Sequence, residues 1–157
     1  MTVAVRVIPY KNRLAKLIQA PGGKRVADAL ADARANLDKI ADLCLGEIDA
    51  AIAGIQAAAG AAERTPESFE VVYVASNNMI GLAGLFGRED LGKAAHSLCE
   101  LLDRAGGWDR CPPVALKVHV DSLVLLRHPD VLSSAQLGDI LDGLAKVVQR
   151  TAHTEDQ

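Results

Sequence analysis

Apolar residues recur between positions 26 and 55 at alternating steps of mostly three and four: Val26, Leu30, Ala33, Leu37, Ile40/Ala41, Cys44, Ile48, Ile52 and Ile55. That spacing holds one stripe on one side of an α-helix, whereas a strand would need a period of two. Asp28, Asp32, Asp38 and Asp42 fall off the stripe. The pattern runs from Lys24 to about Ala62 and predicts a helix of about 36 residues, roughly 55 Å long at 1.5 Å per residue. A helix of that length with one apolar stripe needs partners along it, which points to a bundle.

Composition agrees. Alanine fills 26 of the 157 positions, and only Tyr10, Phe69, Tyr73, Phe86 and Trp108 are aromatic. Sandwiches and barrels draw on aromatic and β-branched residues, while alanine loses no side-chain entropy in a helix. Half of the chain is apolar, enough for a core, so disorder is excluded as the main state. A net charge of −3 supplies no global basic field for nucleic acid. The charge is uneven. Residues 1–27 carry Arg6, Lys11, Arg13, Lys16, Lys24 and Arg25 and no acid, whereas the remainder holds 11 bases against 20 acids. Cys44, Cys99 and Cys111 stand at wide spacings without a C-x-x-C, which indicates neither a zinc site nor a disulfide framework. No long apolar segment follows the first charges, as a secretory leader would require. The longest uncharged stretch, Val71–Gly87, is interrupted by Ser76, Asn77, Asn78 and three glycines and reads as too polar to span a bilayer. The expectation is a soluble, cytoplasmic protein with no membrane or nucleic-acid partner.

Punctuation divides the rest. Thr2–Ile8 alternates like a short strand and ends at Pro9; Asn12 is placed to cap a short helix through Gln19, stopped by Pro21-Gly22-Gly23. Residues 1–22 are thus read as an irregular basic arm, 23–150 as the helical bundle and 151–157 as a polar tail. Thr65-Pro66-Glu67 starts a helix that runs to about Phe86 and stops at Gly87. Another runs from Arg88 to Ala105, with Leu91, Ala94/Ala95, Leu98 and Leu101/Leu102 inward, and ends at Gly106-Gly107. A loop with Trp108, Cys111 and Pro112-Pro113 leads to a helix from Val114 to about Arg127, and Pro129 breaks the chain again. Ser133-x-x-Gln136 reads as a capping box opening the last helix.

The helix from Pro66 departs from ordinary amphipathy. At 100° per residue, Phe69, Val72, Tyr73, Met79, Ile80 and Ala83 cluster around Ser76 as an inward stripe. The opposite side holds Val71, Val74, Ala75, Asn78, Gly81, Leu82 and Leu85, with no charge. A helix apolar on both faces is either buried all round or offers a patch to a partner. Gly81 and Gly84 sharpen the point, because an interior helix glycine costs about 1 kcal/mol relative to alanine. Their presence calls for close approach, by another helix of the chain or by an external partner.

The run Asn77-Asn78-Met79-Ile80-Gly81-Leu82-Ala83-Gly84-Leu85-Phe86-Gly87-Arg88-Glu89-Asp90-Leu91, continued by Ala95-His96-Ser97-Leu98-Cys99-Glu100-Leu101, resembles the histidine-containing phosphotransfer (Hpt) domain family. That family carries a histidine, then x-Leu-Lys-Gly-Ser, Ala-Gly-x-x-Gly, a leucine four residues on and a Leu-Glu in the next helix. Gly81, Ala83, Gly84, Phe86, Gly87, Leu91, Leu98 and Glu100 fit this register without a gap, over about 30 residues. In the same register the phosphoryl-accepting histidine is replaced by Asn77 and the accompanying lysine by Ile80. A neutral imidazole is a nucleophile and an amide nitrogen is not; losing the lysine also removes a cation that a phosphoryl group would want. The resemblance implies an antiparallel up-and-down four-helix bundle that keeps a docking face without relaying phosphate. Its partner would be a response-regulator receiver domain or a histidine kinase in bacterial two-component or chemotaxis signalling. The face would comprise Glu70, Val74, Asn77, Asn78, Gly81, Leu82, Gly84 and Leu85, with no cofactor.

Two alternatives remain open at this stage. His96 is a second candidate phosphoacceptor, on a polar face with Glu89, Lys93, Glu100 and Asp103. The doubly apolar helix could instead be a homodimer seam. His119 falls among Ala115, Leu116, Leu123 and Leu126 and is expected to be buried with a hydrogen-bond partner. No metal site is expected: His96 and Cys99 are three apart without a second pair of ligands.

Overall fold

A computed structural model of the chain describes residues 11, 13–18 and 22–152. They form six α-helices, and among the described residues there is no strand. The expected strand at Thr2–Ile8, the Asn12 cap and His153 lie outside them.

Two compact units divide the chain, Met1–Lys39 and Ile40–Gln157. The division falls inside a helix. In the first unit, α1 (Arg13–Ile18) exposes Leu14, Leu17 and Ile18. The next helix, α2 (Val26–Gly60), begins in this unit, where Lys24 and Asp32 form an ion pair. At 35 residues α2 matches the length that its stripe predicts.

The second unit contains the core. Here α2 contributes Ile48, Ile52 and Ile55, all buried with the side chains of the helices that follow. These are α3 (Pro66–Leu85), α4 (Glu89–Ala105), α5 (Pro113–Leu126) and α6 (Ser134–Ala152). By length and composition alone α2 would pass for a membrane span; its three isoleucines instead face this core. α6 takes in Thr151 and Ala152, two residues of the segment read as tail.

α4 lies at the centre and packs against α3, α5 and α6. Its composition explains the position. Besides the expected leucines it buries Gly92, Ala94, Ala95, Cys99 and Ala105, small residues that let neighbouring backbones come close on several sides. At Gly92 a Cβ would lie 3.5 Å from Ala83 Cβ and 3.6 Å from the Ile80 carbonyl oxygen, in ordinary contact with α3. Helix ends follow the sequence signals. Gly87 and Gly106 have φ of 67° and 61°, the left-handed region that glycine enters without steric cost. Ser133 and Gln136 make the predicted reciprocal cap: the Ser133 N–H donates to Gln136 Oε1 (2.8 Å) and the Gln136 N–H to Ser133 Oγ (3.3 Å).

Two long-range ties complete the unit. Arg127, at the end of α5, forks onto both carboxylate oxygens of Asp49 on α2. That hydrogen bond holds the Asp49 carboxyl below the usual carboxylate range. His119 is fully buried on α5, 3.0 Å from the Ser97 hydroxyl of α4 and 2.8 Å from the Ala115 carbonyl. The expected buried, hydrogen-bonded histidine is present.

Candidate functional site: the outward face of α3

The first turn of α3 fixes how the helix is presented. Thr65 caps it: its hydroxyl accepts the Ser68 N–H (3.2 Å), while Ser68 Oγ accepts the Thr65 N–H (3.0 Å), and Pro66 opens the helix. Trp108, in a 3-10 turn between α4 and α5, then clamps this cap. Its indole N–H donates to the Thr65 carbonyl (2.9 Å) and to Ser68 Oγ (2.8 Å). Its ring meets Phe69 edge-on with centroids 5.2 Å apart, and the Arg64 guanidinium lies over it at 5.1 Å. Further along, the buried Ser76 hydroxyl satisfies itself on the Val72 carbonyl at 2.7 Å.

With the helix so held, Val72, Ser76, Met79 and Ala83 are buried, and Phe69, Tyr73 and Ile80 pack beside them. The opposite side stays open. Glu70, Asn77, Asn78, Gly81 and Gly84 are exposed, and Val71, Val74 and Leu85 keep 49 %, 43 % and 59 % of their surface in solvent. Leu82 and Ala75 differ from the rest of the expected face, being half-buried against the core. A Cβ added at Gly81 or at Gly84 would meet nothing within 4 Å. No described neighbour therefore accounts for either glycine, whereas at Gly92 a Cβ would stand in ordinary contact with α3.

Shallow hollows flank this ridge. Toward α2, Val71, Val74, Ala75 and Asn78 face Glu47, Ala50 and Ala51. Toward α4, Ile80 and Gly84 border Glu89, Gly92, Lys93 and His96. The second hollow brings Ile80 beside His96, a proximity that sequence spacing alone did not give.

Electrostatically the surface is poorly suited to a phosphoryl group. Residues 66–85 carry no lysine or arginine but do carry Glu67 and Glu70. The nearest lysine at the hollow, Lys93, is engaged by Asp90 at 2.8 Å, a hydrogen bond that pushes its pKa up, and Glu89 stands beside it. The cysteines add no nucleophile here: burial pushes the Cys99 thiol up to about 11 and raises Cys111 as well. His96 is exposed and Cys99 buried, so the pair does not converge, and among the described residues no group of three or more His, Cys, Asp or Glu could hold a metal ion.

Sequence reasoning missed Gly92, the Trp108 clamp and the Asp49–Arg127 fork. Gly92 left a readable trace, a glycine inside a strongly amphipathic helix; the other two join residues far apart in the chain and left none.

Among the described residues, fold and surface together define an all-helical protein with an open α3 ridge that carries no lysine or arginine. No protein-family profile, curated protein or solved structure matches the chain at a significant level.

Proposed function

We propose that this chain is a non-catalytic, Hpt-like signalling protein of the bacterial cytoplasm. In this reading its helices make an antiparallel up-and-down four-helix bundle of the Hpt kind. The α3 ridge docks a response-regulator receiver domain or a histidine kinase in two-component or chemotaxis signalling, and docking modulates phosphotransfer between other proteins. The observation that carries the reading is the open space over Gly81 and Gly84. Each glycine weakens the helix by about 1 kcal/mol, and no neighbour among the described residues requires it; a docked partner whose backbone comes close would. Exposed Val71, Val74 and Leu85 supply apolar area around the glycines, and the lack of any lysine or arginine on α3 favours binding over phosphoryl acceptance.

The test separates docking from folding. Gly81→Ala and Gly84→Ala are each expected to raise the thermal midpoint by about 2–4 °C, because the new methyl strengthens the helix and meets nothing. The same variants should weaken binding to purified receiver domains or kinase dimerisation domains in titration calorimetry, and Val74→Asp should abolish it. Absence of binding to every receiver and kinase of the source cell would overturn the reading.

A second reading has one observation in its favour: His96 is exposed in a hollow with Ile80, Gly84 and Lys93. In it, His96 carries phosphate. Incubation with a receiver bearing labelled phosphate is expected to leave this chain unlabelled. Label that survives Asn77→Ala and disappears with His96→Gln would replace the first reading by the second.

A further inference from the structure

A cleft of about 380 Å³ opens between the last turns of α2 and the first turns of α5. Every described residue that lines it belongs to the second unit. Ala59, Pro113, Leu116 and Val120 make its wall mainly apolar, and Leu116 and Val120 are buried. Its volume falls in the range that small organic ligands fill, and such sites join an apolar wall to a few polar groups. The polar side chains here are Gln56, Arg64, Lys117 and Asp121. Lys117 and Asp121 neutralise each other across 2.7 Å. Arg64 is left over. Its guanidinium lies over the Trp108 ring, and among the described residues no carboxylate pairs with it. The described lining therefore carries one positive charge in excess, on a chain whose net charge is −3. The start of α5, which no side chain caps, adds the positive end of its dipole beside Pro113. The two hollows flanking α3 differ: Glu47 and Glu70 edge one, and Asp90 takes up the lysine of the other.

We propose that this cleft binds a monocarboxylate with a hydrocarbon body, the class to which medium-chain fatty acids belong. One uncompensated guanidinium matches one carboxylate in charge and, through its planar fork, in shape. A phosphate dianion would meet a single free cation and a wall that offers it little but hydrocarbon. The body of the ligand lies on Ala59, Leu116 and Val120, where its apolar surface leaves water. Nothing in this depends on what docks on α3, because none of the described lining residues comes from that helix.

Octanoate, titrated calorimetrically into the full chain, should bind at one site and raise the thermal midpoint. Acetate lacks the hydrocarbon body and octylammonium reverses the charge, so neither should do so. Arg64→Gln should weaken octanoate by roughly tenfold or more, as expected for the loss of a charge-assisted hydrogen bond. Gly60→Leu should abolish binding, because a Cβ there meets nothing within 4 Å and the side chain would grow into the cleft. Both positions are exposed and outside the core, so circular dichroism should show both variants folded. An octanoate titration without binding at millimolar concentration would overturn the proposal. So would equal binding of acetate or octylammonium, or displacement of octanoate by inorganic phosphate. Octanoate affinity unchanged in either folded variant would place the ligand elsewhere and overturn it too.

Discussion

A carbonyl can only accept, so the Ala115 oxygen 2.8 Å from His119 Nδ1 fixes a proton on that nitrogen. In the neutral ring Nε2 then accepts from the Ser97 hydroxyl at 3.0 Å. Burial disfavours a second proton and lowers the His119 pKa from its ordinary 6.5. The unfolded chain therefore takes up a proton at a higher pH than the folded one. The stabilisation is complete above about pH 6.5 and declines as the pH falls below it. Urea unfolding at pH 7.5 and at pH 5.5 should show the loss at the lower value. His119→Gln should flatten that difference, costing about 1–3 kcal/mol at pH 7.5 and less at pH 5.5. The sequence placed this histidine correctly among apolar neighbours, because the neighbours lie on its own helix. Ser97 sits 22 residues earlier on α4, and local spacing carries no record of such a pair. The glycines divide in the same way. Gly81 and Gly84 stood out as misplaced in a helix, but whether the near object belonged to this chain could be learned only from the space above them.

At the scale of elements, starts and stops were the most legible part of the chain, since a cap is settled within four residues. Thr65-Pro66 and Ser133-x-x-Gln136 open helices where expected, and Gly87 and Gly106 close them. Thr65→Ala removes the hydroxyl that receives the Ser68 N–H and should lower the unfolding free energy by about 1 kcal/mol, measured by chemical denaturation. Thr65→Ser should restore most of it. What the sequence left unread is how the first turn of α3 is held in place, because Trp108 reaches Thr65 and Ser68 across 43 and 40 residues of intervening chain.

For the molecule as a whole, class was readable and arrangement was not. Abundant alanine and scarce aromatics predict helices, and helices are what the described residues form. That α4 would be the central one was recorded only in its small buried residues, which resemble ordinary helix formers when read one at a time. Composition is equally two-sided for α2, whose alanine content would suit a bilayer but whose Ile48 and Ile55 are completely buried in the protein's own core. Ile48→Ala and Ile55→Ala should each destabilise the fold by about 2–5 kcal/mol in urea titrations followed by circular dichroism; unchanged stability would remove α2 from that core. The Trp108 clamp has a practical corollary. As the chain's single tryptophan, with its N–H tied to the start of α3 and a cation above its ring, it is a native optical probe of that helix's seating. Any ligand that pulls on α3 would let water reach the indole and redden its emission, without a dye attached anywhere.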